Sequence, residues 1–348
     1  MRAVDNLHVR EMVPLVAPRV MKQRLPITDA VAATVSESRE AITRILRRED
    51  QRLLVAVGPC SIHDPAGALA YAEQLYAAHL RFRDRLFLVM RTYLEKPRTT
   101  TGWRGLINDP HIDGSFDMNT GLAMARELLL RINSMGLPVA TEMLDPISPQ
   151  YMSDLISLAA IGARTTESQT HRAMASGLSM PVGFKNTTDG NIQAAVNSLV
   201  SSRHSHSFLG INQDGVSCVV KTNGNPDGLV ILRGSRFGPN YDAESITEAE
   251  RLMIAAGMPP AIMIDCSHAN SGSDHARQPN VWEAALALHR EHPAVVGMMV
   301  ESNLYEGKQS IPADLTQLKF GVSITDACVS WETTERMLEQ AYVALGNA

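Results

Sequence analysis

Residues 51–91 of the chain read QRLLVAVGPCSIHDPAGALAYAEQLYAAHLRFRDRLFLVMR. Two apolar runs of strand length, Leu53–Val57 and Leu86–Met90, flank an amphipathic stretch of helix length, Ala66–His79. A strand, a helix and a second strand in succession indicate that the two strands pair in parallel. This unit therefore predicts an α/β fold built on a parallel sheet.

The same alternation continues along the rest of the chain. Further strand candidates are Pro138–Thr141, Ala159–Ala163, Val182–Phe184, Ser207–Leu209, Ala261–Ile264 and Val295–Val300. Further helical stretches are Thr120–Met135, Ala243–Ala256 and Val281–His289. About eight such units favour closure of the sheet into a (β/α)₈ TIM barrel over an open sheet.

The first part of the chain lies outside the repeated pattern. Residues 1–50 predict an N-terminal extension with regulatory or oligomer contacts. A helix within it is expected to begin at a capping residue, Thr28 or Asp29, and to end at Arg47-Arg48. Basic residues are favoured at a helix C-terminus because they complement the helix dipole.

Residues 51–348 are then the catalytic barrel, with one further insertion. Alternating apolar residues at 216–220 and a turn-rich stretch at 223–228 interrupt the repeat before Leu229–Leu232. Alternation followed by turn residues is typical of a β-hairpin. The sequence therefore predicts a hairpin inserted near 210–233.

Composition limits the classes of partner. The net charge of −5 gives no electrostatic basis for binding nucleic acid. The N-terminal residues carry charges where a signal peptide needs an apolar core, and no apolar run has membrane-spanning length. The four scattered cysteines show no disulfide spacing, so we expect a cytoplasmic protein with free thiols and no membrane partner.

Reactive or charged side chains follow almost every apolar run. In chain order they are Cys60, Arg91, Glu142, Arg164, Lys185, Arg233, Asp265 with His268, and Glu301. In a parallel barrel all the strand C-termini meet on one face, where such enzymes carry out their chemistry. A single polar residue commonly marks a strand leaving the core, but recurrence around the whole sheet predicts one active site.

Cations form the first chemical subset of this face. Its members are Arg91, Lys96, Arg98, Arg164, Lys185 and Arg233. Converging cations are unfavourable unless anions neutralise them, so they predict phosphate or carboxylate ligands. The alternative is surface ion pairing, the usual role of an isolated Arg or Lys.

The second subset has the donor types of a metal site. Its members are Cys60, His268, Glu301 and Asp326. Thiolate, imidazole and carboxylate together suit a divalent first-row metal and suit Mg²⁺ or Ca²⁺ poorly. The alternative is that Cys60 is a small buried hydrophobe and His268 a structural residue.

At these residues the chain resembles a known family, the class I 3-deoxy-D-arabino-heptulosonate 7-phosphate (DAHP) synthases. The motifs that carry the resemblance are GPCSIHDP (58–65), EKPRTTTGWRGLINDP (95–110), IGARTTESQTHR (161–172), PVGFKN (181–186), DCSHAN (265–270), VESN (300–303) and SITDAC (323–328). They are long, and the similarity covers essentially the whole chain in order.

The resemblance implies a reaction and a set of site residues. Phosphoenolpyruvate and erythrose 4-phosphate condense with release of phosphate, the first step of the shikimate pathway. One divalent metal (Mn, Fe, Co or Zn) would bind Cys60, His268, Glu301 and Asp326, and Lys96, Cys60 and His268 would be the catalytic residues. Phosphoenolpyruvate would bind Arg91, Lys96, Arg164, Lys185 and Arg233, lined by Glu142 and Ala163, and the sugar phosphate would meet Lys96, Pro97, Arg98 and Thr99. A homo-oligomer, a dimer or tetramer, is also implied.

The resemblance further implies an inhibitor site for an aromatic amino acid. Residues 145–150, 176–180 and 208–213 look most like the tyrosine-sensitive type, with Pro149, Gln150, Ser179, Phe208 and Gly210 as the site residues. Gly210 stands where the phenylalanine-sensitive type carries Ser, which leaves space for a para-hydroxyl. The alternative is that these are ordinary loop residues and that the likeness reflects descent only.

Three other functions fit parts of the pattern. A class I aldolase would use Lys185 or Lys96 as a Schiff-base lysine and need no metal. The sister synthase acting on arabinose 5-phosphate would share the barrel, although the KPRT motif at 96–99 and the N-terminal extension argue against it. A catalytically inactive phosphometabolite sensor would need the cations but not the metal ligands.

Overall fold

The computed structural model describes residues 4–346 and contains ten strands in that range. They are β1 (Leu53–Gly58), β2 (Leu86–Arg91), β3 (Val139–Glu142), β4 (Leu158–Ile161), β5 (Val182–Lys185), β6 (Ser207–Ile211), β7 (Ser217–Lys221), β8 (Gly228–Leu232), β9 (Ile262–Asp265) and β10 (Val295–Glu301). All except β6 and β7 close a barrel in the order β1-β10-β9-β8-β5-β4-β3-β2, with every pair parallel. The predicted (β/α)₈ barrel is confirmed.

Helices cover the outside of this barrel. They are α1 (Pro18–Arg24), α2 (Asp29–Leu46), α3 (Pro65–Phe82), α4 (Met118–Ser134), α5 (Pro149–Met152), α6 (Gln169–Ala175), α7 (Ile192–Ser202), α8 (Ala243–Ala255), α9 (Gln278–Glu291) and α10 (Trp331–Gly346). Within residues 4–346, each helix is too short or too polar to cross a lipid bilayer.

The barrel strands are buried on both faces, which explains their continuous apolar runs. In β1, Leu54 and Ala56 belong to the cluster inside the barrel, whereas Leu53, Val55 and Val57 pack toward the helices. Successive strand residues point to opposite faces, so one short run supplies both layers of the core.

Helix α2 begins at the predicted cap Thr28, ends at Leu46, just before the predicted Arg47-Arg48, and closes the N-terminal end of the barrel. The Thr28 hydroxyl accepts the Val31 N–H at its first turn. Ile42, Ile45 and Leu46 lie in the same buried cluster as the barrel interior. The face opposite, where the strands end, remains open for side chains that carry chemistry.

The sixth barrel strand differs from the sequence prediction. Ser207–Leu209 belongs to β6, which pairs antiparallel with β7 in a hairpin outside the barrel. Gly228–Leu232, predicted as the returning hairpin strand, is the barrel strand β8 and pairs with β5 and β9. The prediction was wrong because β6 and β7 alternate more and less exposed residues, as a two-stranded surface ribbon does, whereas β8 is almost fully buried.

Candidate active site

The strand C-termini line a cavity of about 260 Å³ on one face of the barrel. The predicted site residues on its wall are Lys96, Pro97, Arg98, Thr99, Glu142, Ala163, Arg164, Lys185, Arg233, His268 and Asp326. Cys60, Arg91 and Glu301 are buried and contact residues of this wall. The structure therefore brings the predicted metal and substrate residues to one place.

Arg91 supplies a fixed positive charge at the end of β2. Its side chain is fully buried, lies 4.0 Å over the Tyr93 ring and donates from Nη2 to Glu301 Oε1 at 3.1 Å. Nε and Nη1 have no hydrogen-bond partner among the described residues. Burial opposes the charge, but Tyr93, Glu301 and Asp265 together raise the pKa of Arg91 above its usual value. Two unpartnered donors on a buried cation suit an anionic ligand.

Three other cations differ in how tightly the protein holds them. Lys185 is buried, and its Nζ lies 2.9 Å from Asp265 Oδ2. Arg164 is exposed and donates to Thr99 Oγ1 at 2.9 Å. Burial lowers the pKa of Arg233, whose guanidinium has a backbone carbonyl 3.4 Å away. Arg164 and Arg233 are therefore freer than Lys185 to meet a ligand.

The loop that carries Arg233 is held by buried amides. Asn186 Oδ1 accepts the Arg233 N–H at 2.9 Å, and Asn240 donates to the same oxygen at 3.1 Å. Gly234 has φ 77° and a Cβ there would lie 2.6 Å from the Asn270 backbone nitrogen, so only glycine fits this turn.

Cys60, Glu301 and Asp326 form a compact group at one side of the cavity. Their thiol and carboxylate ligand atoms all lie within 4.8 Å of one another. Lys96 Nζ donates to Cys60 Sγ at 2.7 Å and to Asp326 Oδ2 at 3.1 Å. His268, the fourth predicted ligand, lies beside this group, with Nε2 3.6 Å from Glu301 Oε1.

The charges of this group are interdependent. Burial and the neighbouring Glu301 raise the pKa of the Cys60 thiol to about 12. Burial would lower the pKa of Lys96, but Cys60, Glu301 and Asp326 raise it above the usual value. Burial likewise opposes ionisation of Asp326, but Lys96 keeps the pKa of that carboxyl below its usual range. Lys96 thus supplies the positive charge where these acidic groups meet.

The donor chemistry fits a divalent first-row metal. Cys60 offers sulfur, His268 offers imidazole nitrogen, and Glu301 and Asp326 offer carboxylate oxygens. Such mixed soft and hard donors are typical of Mn, Fe, Co or Zn sites and leave open which of these metals binds.

Two residues that support the site were given no role from the sequence. Asp265 bridges Lys185 and His268. Gln278 donates to the Glu301 carbonyl at 3.0 Å and accepts the Glu301 N–H at 2.9 Å. Asp265 shows the same strand-end signal as the other site residues, whereas Gln278 opens α9 and carries no signal in the sequence.

The predicted inhibitor-site residues lie on three segments: Pro149 and Gln150 at the start of α5, Ser179 between α6 and β5, and Phe208 and Gly210 in β6. Gln150 Oε1 accepts from Gln213 Nε2 at 2.8 Å, so α5 touches the turn of the hairpin. A Cβ on Gly210 would lie 2.8 Å from Val220 Cγ2 on the paired strand.

Comparison with known proteins gives matches over almost the whole chain. The model of the DAHP synthetase I family matches residues 29–339. The Tyr-sensitive phospho-2-dehydro-3-deoxyheptonate aldolase of Escherichia coli K12 is 51% identical over 346 residues, covering 99% of this chain and 97% of the relative. A phospho-2-dehydro-3-deoxyheptonate aldolase structure from Francisella tularensis SCHU S4 superposes with a TM-score of 0.95 at 43% identity, covering 97% of this chain and 98% of that one.

The relatives include more than one inhibitor type. The Phe-sensitive enzyme of Escherichia coli K12 is 49% identical over 337 residues, covering 97% of this chain and 96% of the relative. The tyrosine-inhibited enzyme of Schizosaccharomyces pombe is 47% identical over 340 residues, covering 97% of this chain and 91% of the relative. Overall identity therefore does not separate the types, and particular residues must.

Proposed function

The chain belongs to the DAHP synthetase I family, and we propose which of its residues perform each part of the reaction. The enzyme is a transferase that condenses phosphoenolpyruvate with erythrose 4-phosphate. The products are 3-deoxy-D-arabino-heptulosonate 7-phosphate and phosphate, and the reaction is the first step of the shikimate pathway. The observation that supports the assignment is the convergence of buried cations and metal-type ligands on one cavity.

Phosphoenolpyruvate binds the inner part of the cavity in this proposal. It carries a phosphate and a carboxylate. Lys185 lies on the wall and Arg91 directly behind it against Tyr93, and they are 3% and 0% exposed. Arg164 and Arg233 reach the same cavity from the rim. Guanidinium groups pair with planar and tetrahedral oxyanions through two donors, so they fix orientation as well as charge. Glu142 and Ala163 line the remaining wall.

Erythrose 4-phosphate binds nearer the mouth. Lys96 is buried at the base of its loop, Pro97 is half-buried, and Arg98 and Thr99 are exposed at the entrance. Thr99 Oγ1 also accepts from Arg164, so the loop for the sugar phosphate touches a residue assigned to phosphoenolpyruvate. Positioning both substrates in one cavity converts a bimolecular step into an effectively unimolecular one.

Cys60, His268, Glu301 and Asp326 would hold the metal. When bound, a divalent first-row ion supplies a Lewis acid for the aldehyde oxygen of the sugar phosphate. Lys96, which contacts Cys60 and Asp326, keeps its proton at Nζ and faces the same part of the cavity.

The reaction then needs the cations at each stage. The C2=C3 electron pair of phosphoenolpyruvate forms a carbon–carbon bond from C3 to the aldehyde carbon, and the aldehyde oxygen takes up a proton to become a hydroxyl. Water adds at C2 and loses a proton. The C2–O bond to phosphate then breaks as the C2 hydroxyl loses its proton to become the ketone, and the phosphate leaves with the bonding pair. Arg91 and Lys185 neutralise the anionic groups while positive character develops at C2, and their fixed placement avoids reorganisation during the step.

Phosphate release by the purified chain, with both substrates, tests the assignment. We expect activity to fall on chelator treatment and to return on add-back of a first-row divalent metal. Borohydride trapping with a carbonyl substrate is the counter-test. Metal-independent turnover together with a covalent adduct at Lys185 or Lys96 would instead identify a class I aldolase.

We further propose that the enzyme is a cytoplasmic homo-oligomer.

We also propose that tyrosine inhibits this enzyme by binding at the hairpin and α5. Contacts link the hairpin to the active site: Gln213 bonds Gln150, and two residues earlier Ser148 Oγ donates to Glu95 Oε2 at 2.9 Å. Glu95 directly precedes Lys96. An inhibitor that favours one arrangement of the hairpin can therefore bias the substrate loop.

A further inference from the structure

Asp265, the last residue of β9, accepts three hydrogen bonds in the interior of the site and forms an ion-pair contact with His268. Oδ1 accepts the Ser267 N–H at 3.0 Å and the Ser267 hydroxyl at 2.6 Å. Oδ2 lies 2.9 Å from Lys185 Nζ and 2.9 Å from His268 Nδ1. The side chain is 0% exposed. Contacts to both carboxylate oxygens hold the group in one orientation.

The contact with His268 determines which ring nitrogen carries the proton. Because the Ser267 hydroxyl donates to Asp265, its oxygen can only accept from His268 Nδ1, 2.7 Å away. Both neighbours of Nδ1 are therefore acceptors, and the proton resides there. The lone pair of Nε2 then points toward Glu301, the side on which a metal ion would be held.

The contact with Lys185 serves the other substrate group. A buried ammonium is stable only when it is paired, and Asp265 is its ion-pair partner. The backbone at His268 has φ 54°, a left-handed turn that brings the ring back onto the strand it has just left. One carboxylate thus touches both the imidazole of the metal group and the ammonium of the substrate group.

We propose that Asp265 is a positioning residue that fixes the tautomer of His268 for metal binding and the place of Lys185 for phosphoenolpyruvate binding. This inference rests on the roles assigned to those two residues in the proposed function. The competing explanation is narrower: Asp265 only neutralises Lys185, and His268 binds metal equally well without it.

Metal binding by apoprotein, measured by calorimetry with Mn²⁺ in the absence of substrates, separates the two explanations. For Asp265→Asn we expect about a 10–100-fold loss of metal affinity, because outer partners of ligating histidines typically contribute that much. Phosphoenolpyruvate affinity should fall at least tenfold in the same variant. Ser267→Ala, which keeps the carboxylate, should lose less of both.

Asp265→Asn leaves Lys185 buried without a partner and can unfold the protein, so a charge-neutral pair is needed. Lys185→Gln combined with Asp265→Asn removes both charges and tests the histidine alone. Weak Mn²⁺ binding in this folded double variant supports the proposal, and wild-type affinity overturns it. His268→Ala is the reference: if it binds Mn²⁺ as wild type does, the metal assignment of the proposed function fails instead.

Discussion

The protonation of Cys60, and so its capacity to bind a metal, depends on the groups around its thiol. Its thiol is fully buried, which favours the protonated form, yet Lys96 donates to its sulfur from 2.7 Å. Cys218, by contrast, is half-buried in β7, outside the barrel. A ligating thiolate must lose its proton, so metal binding here should release one.

We expect Cys60→Ala and His268→Ala each to fold but to lose bound metal and activity together, because each removes one donor of the metal site. Bound metal by elemental analysis and turnover on the purified variants are the measurements. Cys218→Ala is the matched control and should keep both. Full activity in a metal-depleted Cys60→Ala protein would show that the sulfur is not a ligand.

The contact between Glu142 and Gly162 leads to a second prediction at the residue scale. Its Oε1 has no hydrogen-bond partner among the described residues, and a Cβ on Gly162 would overlap that oxygen. Gly162→Ala should therefore displace the carboxylate and reduce kcat/KM for phosphoenolpyruvate about tenfold. Glu142→Gln is the control variant. If Gly162→Ala acts through this carboxylate, kcat/KM of the double variant will be no lower than that of the less active single variant.

At the scale of elements, most of the site residues could be predicted because they follow the apolar runs that form the barrel strands. Apolar runs located β1 and β10 and, with them, Cys60 and Glu301. The same rule misplaced the sixth strand, because an exposed ribbon strand and a barrel strand can have equal length. Asp265 and Gln278 could not be assigned roles, since those depend on side-chain directions that only the folded chain defines.

The cations on strand ends and on loops should differ in their contribution to substrate binding. Lys185 ends β5 and is buried, whereas Arg164 follows β4 and is exposed. Removing a desolvated charge partner typically costs about 2–5 kcal/mol, so Lys185→Ala should weaken phosphoenolpyruvate binding strongly and Arg164→Ala by less. Titration in the presence of metal measures both, with Arg251→Ala on α8 as the control. Unchanged dissociation constants for both variants would refute the anion site.

The hairpin is the element that we expect to determine inhibitor choice. Tyrosine should inhibit well below the concentration needed for phenylalanine or tryptophan, Ser179→Ala should relieve inhibition, and Gly210→Ser should shift preference away from tyrosine. Initial rates at saturating substrates measure all three. Stronger inhibition of the wild type by phenylalanine or tryptophan would contradict the tyrosine assignment alone.

Gly210→Ser needs its own control, because the new Cβ would press on Val220 across the ribbon. Combining it with Val220→Ala removes that contact. If the shift in preference persists in the double variant, it reflects the inhibitor pocket. If it disappears, the single variant acted by distorting the hairpin.

At the scale of the whole molecule, one end of the barrel carries the candidate active site and the other end contributes to the apolar core. The carboxyl end holds the polar site, and the amino end is closed by apolar side chains of α2. Stability and catalysis should therefore be separable by mutation. Ile42 is 0% exposed in that closing cluster, so it is a suitable position for the test.

Ile42→Ala should destabilise the protein by about 2–5 kcal/mol, because it deletes buried methyl groups and leaves a cavity. Urea unfolding measures the loss, and kcat and KM at a temperature where the variant remains folded should stay near wild type. Glu37→Ala, on the exposed side of the same helix, is the control. A large fall in kcat in folded Ile42→Ala would mean that the two ends are coupled.

The hairpin of β6 and β7 has a bearing on how such enzymes diversify. Because β5 and β8 are direct neighbours in the barrel, the hairpin between them takes no part in the barrel's hydrogen-bonded register. Selection can therefore lengthen, exchange or delete this stretch without altering strand count or the ancestral chemistry. With the proposed inhibitor site on this surface ribbon, duplicated copies of one gene could keep a common catalyst and respond to separate metabolic signals.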